Sequence, residues 1–361
     1  MLAEKSSAVR ADRVASLFPA TGFPSALAPM QDVTGLPFMN LVSAYVSPDL
    51  FFTEYFRVHS HARVNPEILS SITENNSGKP VFAQLIGEDL EHIVRFAQEL
   101  QRFPIAGIDL NLGCPAPRVY RKNVGGGLLR DPVRIGQILR ALRDSCECPL
   151  TVKTRIGFED DRNFSEILDV FASNNIELLS LHARTVRGGY RSSPRYEYVK
   201  QAVNRLSCPV LLNGEVNTPQ SAIDLIEQTG AAGVMIGRSA IRNPWIFRQI
   251  RELQNGEEMF HPTLADVYSY IQSLFDTLAK EGMTEEKHVA RLKKFLNFIA
   301  LSVDNQGGFL YHMRRVSLRS EMDTVCRKYL LDQGKADQIM SLSPYEGLLT
   351  RPSKEPISCM G

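Results

Sequence analysis

Eight short apolar runs recur between residues 25 and 240, and their alternation with segments of helical spacing constrains the fold more than any other feature of this sequence. Each run is bounded by Gly, Pro or a polar loop, as is typical of buried β-strands. In chain order the runs are SALAPM, LFFTEYF, PVFAQLIG, IAGIDLNLG, PLTVKTRIG, IELLSLHART, PVLLNGEV and AAGVMIGRS. Strand followed by helix, repeated in this way, predicts an α/β protein with a closed parallel (β/α)8 TIM barrel.

The segments between the runs predict the helices of the barrel. They include DLEHIVRFAQELQ, DPVRIGQILRALRD, NFSEILDVFASN and TPQSAIDLIEQTG, which open on Asp, Asn or Thr. We expect these opening residues to cap the helix N-termini. A doubly wound open sheet would also alternate strand and helix, but it rarely carries eight strands, and no GxGxxG follows the first run. The barrel is therefore favoured.

From about residue 260 the pattern changes to helices only. We therefore predict an N-terminal extension over residues 1–22, a catalytic barrel over 23–255 and an all-helical C-terminal domain over 260–345. Between residues 287 and 328, nine Lys or Arg stand against three acidic residues. Such a basic helical face suits a phosphate backbone, although a solvated helix surface would have the same composition.

Composition limits the remaining possibilities. The formal net charge of +1 excludes a surface that is basic all over, so any nucleic-acid contact needs a local patch. The six cysteines are too dispersed for a metal knuckle, which indicates reduced thiols in a cytoplasmic protein and no metal site. No run reaches the ~18 apolar residues of a membrane span, and the N-terminus lacks the apolar stretch of a signal peptide.

The residues that follow each run are the candidates for chemistry, because the active site of a barrel lies at the carboxyl ends of its strands. The fourth run ends in Asn111-Leu-Gly-Cys114, and the prolines at 115 and 117 stop the strand there. We expect Cys114 to emerge at the barrel mouth, where its thiol can act as a general acid. The alternative is an inert buried cysteine.

Three further strand ends carry polar side chains. Lys153 ends the fifth run and could neutralise an anionic cofactor or form a Schiff base, and its position does not choose between them. His182 ends the sixth run, where a lone histidine is as often structural as functional. Asn213–Glu215 and Gly237–Arg238 follow the last two runs, where many barrels bind phosphate through loop amides. A phosphorylated ligand is predicted there.

These motifs resemble the tRNA-dihydrouridine synthase family from about residue 25 to residue 330. The most specific piece is NLGCPAPRVYRKNVGGGLLRDP. Around it Ala28-Pro29-Met30, AQLIG, VKTRIG, LHART, LNGEV and GVMIGRSAIRNPWIF follow in the order and spacing of the family. The resemblance implies an oxidoreductase that reduces a uridine of tRNA to 5,6-dihydrouridine. It also implies FMN as cofactor, NADPH as reductant, tRNA as partner and no obligate protein partner.

The resemblance assigns roles to individual residues. NADPH would reduce FMN, hydride would pass from flavin N5 to C6 of uracil, and Cys114 would protonate C5. The residues implied to line the FMN site are Pro29, Met30, Gln31, Gln84, Lys153, His182, Asn213, Gly214, Glu215, Gly237 and Arg238. The residues implied to bind substrate are Asn111, Arg57, Arg184, Tyr190, Arg291, Lys293 and Arg314. Of these, Arg57, Tyr190, Arg291, Lys293 and Arg314 are similar to the positions of the subgroup that modifies uridine 16 of the D-loop.

The sequence departs from the family pattern in two places. Where the family has small residues ending in Asp-Trp, this chain has RSSPRYEYV, so Tyr196 or Tyr198 is expected to fill that space. Asp32 stands where a small residue or glycine is frequent. Neither departure touches the Cys114 loop.

Three other functions are compatible with parts of the pattern. An FMN barrel acting on a small molecule, like dihydroorotate dehydrogenase, would place similar residues at its strand ends, but it would not need the basic helices. A tRNA-binding chaperone without activity would need no flavin. An aldolase would use Lys153 as a Schiff-base nucleophile.

Overall fold

The computed structural model of the chain describes residues 13–348. The chain divides into two compact units, the first ending at Gly237 and the second beginning at Arg238. This boundary lies earlier than residue 255, where the sequence patterns put the end of the barrel domain, because the last strand ends at Ile236 and all following elements of the described chain are helical. Of the predicted extension over residues 1–22, residues 1–12 lie outside the described part.

The first unit is a closed barrel of eight parallel strands, as predicted. Its strands are β1 (Ser25–Leu27), β2 (Leu50–Phe52), β3 (Phe56–Arg57), β4 (Val81–Ile86), β5 (Gly107–Leu112), β6 (Leu150–Arg155), β7 (Leu178–His182), β8 (Val210–Asn213) and β9 (Gly233–Ile236). β1 pairs with both β2 and β9, and β2 pairs with β4, which closes the ring. β3 is a short additional strand that pairs with β4. The second apolar run divides into β2 and β3 at Glu54, whose carboxylate binds backbone amides of the loop after β1.

Helices connect the strands of the barrel. They span Leu36–Val46, Pro66–Thr73, Leu90–Leu100, Pro117–Tyr120, Pro132–Ser145, Phe164–Ser173, Glu197–Arg205 and Pro219–Thr229. Three predicted N-caps are confirmed, since Asp89, Asp131 and Thr218 each accept a hydrogen bond from a backbone amide of the first turn. The expectation for Asn163 is wrong, because its side chain makes no cap hydrogen bond.

The barrel interior has two layers of different chemistry. The layer at the amino ends of the strands is apolar and consists of Ala26, Ala28, Leu50, Phe52, Phe82, Leu178, Leu211 and Met235, against which Leu17 and Phe18 also pack. Phe52 and Phe82 stack there with ring centroids 5.0 Å apart. Alternate residues of a strand face the same side, so the interior positions that follow are Gln84, Asp109, Asn111, Lys153, Ser180, His182 and Asn213. The polar layer therefore lies at the carboxyl ends, which we call the barrel mouth.

The second unit is helical, as predicted. Its helices span Arg238–Arg242, Ile246–Asn255, Leu264–Thr277, Glu285–Ile299, Gly308–Met313 and Arg319–Leu330. The last two of these helices are separate because the carboxylate of Glu321 accepts hydrogen bonds from the amides of Ser317 and Leu318 and starts a new helix. Among residues 13–348 no helix is both long and apolar enough to cross a membrane.

Candidate active site

A chain of side-chain hydrogen bonds runs along the barrel mouth to the cysteine loop. Gln84 Nε2 donates to Asp109 Oδ2 at 2.7 Å, and Asn111 Nδ2 donates to Gln84 Oε1 at 2.7 Å. Asn111 Oδ1 in turn accepts from the backbone amides of Gly113 and Cys114 at 3.1 and 3.0 Å. The predicted residues Gln84, Asn111 and Cys114 are thus connected directly to one another, and Asp109, which the motif analysis did not single out, lies at the other end of the chain.

Cys114 is half-buried at the edge of this site. It packs against a small cluster of Tyr55, Ile86 and Val119. Burial raises the pKa of Tyr55, and the charge that Cys114 can carry raises it further, so the phenol lies within electrostatic range of the thiol. The expectation that Cys114 emerges from the strand agrees with this position, which leaves the thiol neither sealed in the core nor fully solvated.

Asp109 and Lys153 are oppositely charged groups of the polar layer and lie on neighbouring strands. Burial raises the pKa of Asp109 to about 6, although Thr151, Gln84 and Lys153 oppose the shift. Burial also lowers the pKa of Lys153 to about 8, and the charge of Arg155 acts in the same direction. Near neutral pH the mouth therefore holds a carboxylate and an ammonium group. Such a cation suits the anionic edge of a ligand better than an exposed lysine would, because little water screens it.

Arg155 fixes two loops of the mouth to each other. Its guanidinium donates from Nε to the carbonyl of Gly113 and from Nη1 to the carbonyl of Thr185, both at 3.0 Å. Its Cζ atom also lies 5.5 Å from the ring centroid of Tyr190. Arg155 therefore contacts the Cys114 loop and lies near the exposed ring of Tyr190.

The loops after β7 and β8 meet at Gly214. The backbone of Gly214 has φ +117°, and a Cβ there would lie 3.0 Å from the imidazole of His182, so only glycine lets the loop approach so closely. Arg184 is buried, lies 3.3 Å from His182 Nε2 and forms an ion pair with Glu215. The hydroxyl of Tyr196 donates to the carbonyl of Gly214 at 3.0 Å. Tyr196, one of the two tyrosines expected in this region, therefore contacts the loop that carries Gly214.

The turn after β1 is held by a buried carboxylate. Glu54 Oε2 and Oε1 accept from the amides of Asp32 and Val33 at 2.8 and 2.9 Å. Asp32 has φ +62°, a left-handed conformation that glycine, Asn and Asp adopt most readily, which explains the frequent glycine at this position. A Cβ at Gly237 would lie 3.3 Å from Met30 Sδ, so this turn approaches the end of β9 closely.

Two polar side-chain atoms at the mouth are buried without a hydrogen-bond partner among the described residues. They are Gln31 Oε1, in the turn after β1, and Ser180 Oγ, whose residue pairs in register with Lys153. Buried polar atoms normally have partners, so these atoms indicate a ligand with polar groups. Together with Lys153 and the close backbone approach at Gly214, they fit the ring edge and phosphate of FMN.

Several residues of the site were not found from sequence motifs. Asp109 and Ser180 share the interior face with Asn111 and His182, so the alternation along IDLNL and LLSLH was the available signal. Glu54 and Arg155 likewise lie within apolar runs on interior positions. Nothing in the local sequence reveals which backbone groups they bind.

The remaining predicted residues lie elsewhere. Arg57 is exposed at the end of β3. Arg238 is the first residue of the helix that opens the second unit. Within that unit, Arg291 donates to the carbonyl of Leu278, Lys293 to that of Arg314, and Arg314 to the side chain of Asn297. Lys293 and Arg314 thus lie together, whereas Arg291 contacts the end of a different helix, and the sequence did not foresee these contacts.

Comparison with known proteins identifies a family. A family model described as dihydrouridine synthase matches residues 26–329. The chain is 31% identical over 312 residues to a protein of Neisseria meningitidis named tRNA-dihydrouridine(16) synthase, and the match covers 84% of this chain and 93% of that protein. It is 33% identical over 242 residues to tRNA-dihydrouridine synthase B of Vibrio parahaemolyticus, covering 64% of this chain and 73% of that protein.

A solved structure supports the barrel fold. A complex of 2-naphthoyl-CoA reductase with 2-naphthoyl-CoA aligns with a TM-score of 0.51 at 11% sequence identity, covering 65% of this chain and 50% of that chain. At this identity the likeness concerns the fold alone.

Proposed function

Because the chain belongs to the dihydrouridine synthase family, we propose that it is an oxidoreductase that reduces a uridine of tRNA to 5,6-dihydrouridine, with FMN as cofactor and NADPH as reductant. The observation that carries the proposal is the hydrogen-bond chain that ties the loop of Cys114 to Gln84 in the polar layer of the barrel. It places a thiol and a group suited to a flavin edge at one opening. A chaperone or an aldolase would not require that combination, and a small-molecule reductase would not require the basic helices between residues 287 and 328.

The polar layer would hold the FMN. FMN, when bound, supplies the hydride for C6 of uracil. Lys153 and Gln84 would bind its polar ring edge, and Gln31 and Ser180 offer further buried polar atoms for it. The residues proposed to contact the rest of the cofactor are Pro29, Met30, His182, Asn213, Gly214, Glu215, Gly237 and Arg238. Near neutral pH the ammonium form of Lys153 predominates. The charged form suits an anionic partner, whereas Schiff-base chemistry needs the neutral amine.

Cys114 would supply the proton. Adding hydride to C6 leaves a negative charge on the C5 side of the base, so an acid is needed at that carbon. A half-buried thiol on a loop at the mouth meets this requirement, and the tie from Asn111 holds it near the opening. The uridine must leave its stack to reach this place. Tyr190 and Arg184 would line the space that receives it.

The substrate would be uridine 16 of the D-loop. Support comes from the name of the Neisseria relative, a tRNA-dihydrouridine(16) synthase, which the chain covers over 93% of its length. Arg57, Arg291, Lys293 and Arg314 would contact the tRNA backbone, with the residues of 260–345 as the RNA-binding domain and those of 23–255 as the catalytic domain. We place the reaction in the cytoplasm, where the described cysteines, all free, would stay reduced.

The proposal is tested by mapping dihydrouridine in tRNA from a deletion strain with and without the restored gene. We expect uridine 16 alone to lose the modification and to regain it with the gene. Restoration at another position would overturn the assignment to uridine 16, and an unchanged pattern would overturn the function. Purified protein should be yellow, whereas colourless protein that forms a borohydride-trapped adduct at Lys153 would favour the aldolase.

A further inference from the structure

We infer that Asp109 is a positioning residue whose carboxylate sets the direction of the hydrogen-bond chain that ends at Cys114. The inference rests on the proposed role of Cys114 as the acid. Asp109 itself touches neither the thiol nor the opening, because it is fully buried in the polar layer. Its influence would pass through the amide groups of two neighbouring side chains, each of which can be turned either way.

The first step concerns Asp109 and Gln84. Both carboxylate oxygens of Asp109 accept, Oδ1 from the hydroxyl of Thr151 at 2.6 Å and Oδ2 from Gln84 Nε2 at 2.7 Å. An ionised carboxylate has no proton to donate. Gln84 must therefore turn its amide nitrogen towards Asp109 and its oxygen away, and the reverse orientation would bring two acceptors together.

The second step carries this direction to the loop. Gln84 Oε1 can only accept, so Asn111 has to present its Nδ2 to that oxygen. The remaining atom, Asn111 Oδ1, then faces the loop and accepts from the amides of Gly113 and Cys114. A reversed Asn111 would point its own N–H groups at these two donors. The loop is held only while the chain keeps one direction.

A carboxylate at position 109 fixes the direction of the hydrogen-bond chain more strictly than a neutral residue could. Asparagine at position 109 could donate or accept towards Gln84, so both directions of the chain would become available. A buried carboxylate is costly, and burial raises the pKa of Asp109 to about 6. Lys153 on the neighbouring strand opposes the shift and helps to keep the acceptor form near neutral pH.

The test measures how readily Cys114 is alkylated. Iodoacetamide modification of the Cys114 peptide is followed by mass spectrometry over a range of pH, and the plateau rate at high pH is compared, because it reports access to the thiolate and not its ionisation. In Asp109→Asn we expect the plateau rate to rise about tenfold, since the loop loses the equivalent of one to two hydrogen bonds. Gln84→Leu should give a similar rise without changing the buried charge.

A double variant restores the direction by a different route. In Asp109→Asn with Gln84→Glu, the new carboxylate at position 84 can only accept, from the amide at 109 and from Asn111. The loop should be held again, and the plateau rate should return to within about twofold of the original. The matched control is Thr151→Val, which removes a donor to Asp109 but leaves its acceptor towards Gln84, so the rate should stay unchanged.

Three results would overturn the inference. The first is an unchanged plateau rate in both Asp109→Asn and Gln84→Leu. The second is a rise in Asp109→Asn alone, which would show that the buried charge matters and the direction of the hydrogen bonds does not. The third is a double variant whose plateau rate stays high. Gln84→Leu keeps the inference testable if Asp109→Asn does not fold. The proposed function fails separately, since it depends on dihydrouridine mapping in the deletion strain and not on alkylation rates.

Discussion

Lys153 Nζ on β6 donates a hydrogen bond to Asn213 Oδ1 on β8 at 3.2 Å, past the intervening strand β7. Asn213 in turn donates from Nδ2 to the carbonyl of Met235 on β9 at 2.7 Å, so its oxygen is directed at the lysine. The ammonium group is thereby held at the mouth between β6 and β8. Because burial lowers its pKa to about 8, this group changes its charge just above neutral pH.

Cofactor binding should weaken as pH rises through about 8. Burial lowers the pKa of Lys153 to about 8, so the ammonium loses its proton in this range and its attraction for an anionic ligand disappears. FMN affinity measured by fluorescence quenching between about pH 6 and pH 10 should fall several-fold across this value. Lys153→Arg stays charged over the whole range, so the decline should vanish in that variant. If FMN affinity still falls with rising pH in Lys153→Arg, the titration of another group causes the decline.

Cys114→Ala should separate cofactor binding from chemistry. We expect the variant to bind FMN and to be reduced by NADPH, while dihydrouridine formation falls about 10²-fold to 10⁴-fold because the proton donor is missing. Single-turnover reduction followed by dihydrouridine assay on tRNA distinguishes the two steps. Cys148→Ala, a second half-buried cysteine, is the matched control and should keep normal activity. Normal activity in Cys114→Ala would exclude this thiol as the acid.

Tyr196→Phe should loosen the loop that carries Gly214. The substitution removes the hydroxyl that donates to the carbonyl of Gly214, at a cost of about 1 kcal/mol in the free energy of unfolding. FMN should bind about threefold to tenfold more weakly, since the loop is proposed to contact the cofactor. Urea unfolding and fluorescence titration measure the two effects. Tyr198→Phe is the control, because that ring packs on Phe164 by its edge, and an equal loss there would argue against a specific tie to Gly214.

Replacing Arg291, Lys293 and Arg314 together with Ala should weaken tRNA binding and flatten its salt dependence. Each phosphate contact that is lost reduces the slope of log affinity against log salt by about one. The same cations donate to carbonyl or amide oxygens within the helical unit, so the melting temperature should also fall.

The salt slope separates these two effects, because a loss of stability alone does not change it. The charge-neutral control is Arg327→Gln with Asp323→Asn, a pair already bonded to each other at 2.7 Å. The control should leave the salt slope unchanged, and an unchanged slope in the triple variant would move the RNA site elsewhere.

The fold was predictable because the apolar runs and the helical segments of the sequence correspond to strands and helices along most of the chain. Each of the eight apolar runs forms a strand of the barrel, since a buried parallel strand needs an unbroken apolar run. The end of the barrel unit was harder to predict from the sequence. The helices Arg238–Arg242 and Ile246–Asn255 have the same periodicity as those of the barrel, and only their contacts assign them to the second unit.

The site was predictable in its parts but not in its connections. Strand ends identify Asn111, Lys153 and Asn213 as mouth residues, because the carboxyl ends of parallel strands meet at one edge. Which amide faces which carboxylate depends on interstrand register, as for Gln84 beside Asp109. Register is a property of the closed ring, so a local motif does not contain it. The roles of Glu54 and Arg155 as loop ties were missed for the same reason.

Because the barrel interior has separate apolar and polar layers, substitutions in the two layers have different effects on the protein. Truncating Phe82 or Phe52 removes packing deep in the cylinder and costs about 3 to 5 kcal/mol, whatever ligand is present. Residues of the upper layer instead hydrogen-bond to one another, so a substitution among them acts first on the shape of the mouth, while the apolar layer beneath still packs. The stability of the cylinder and the chemistry of its mouth therefore depend largely on different residues.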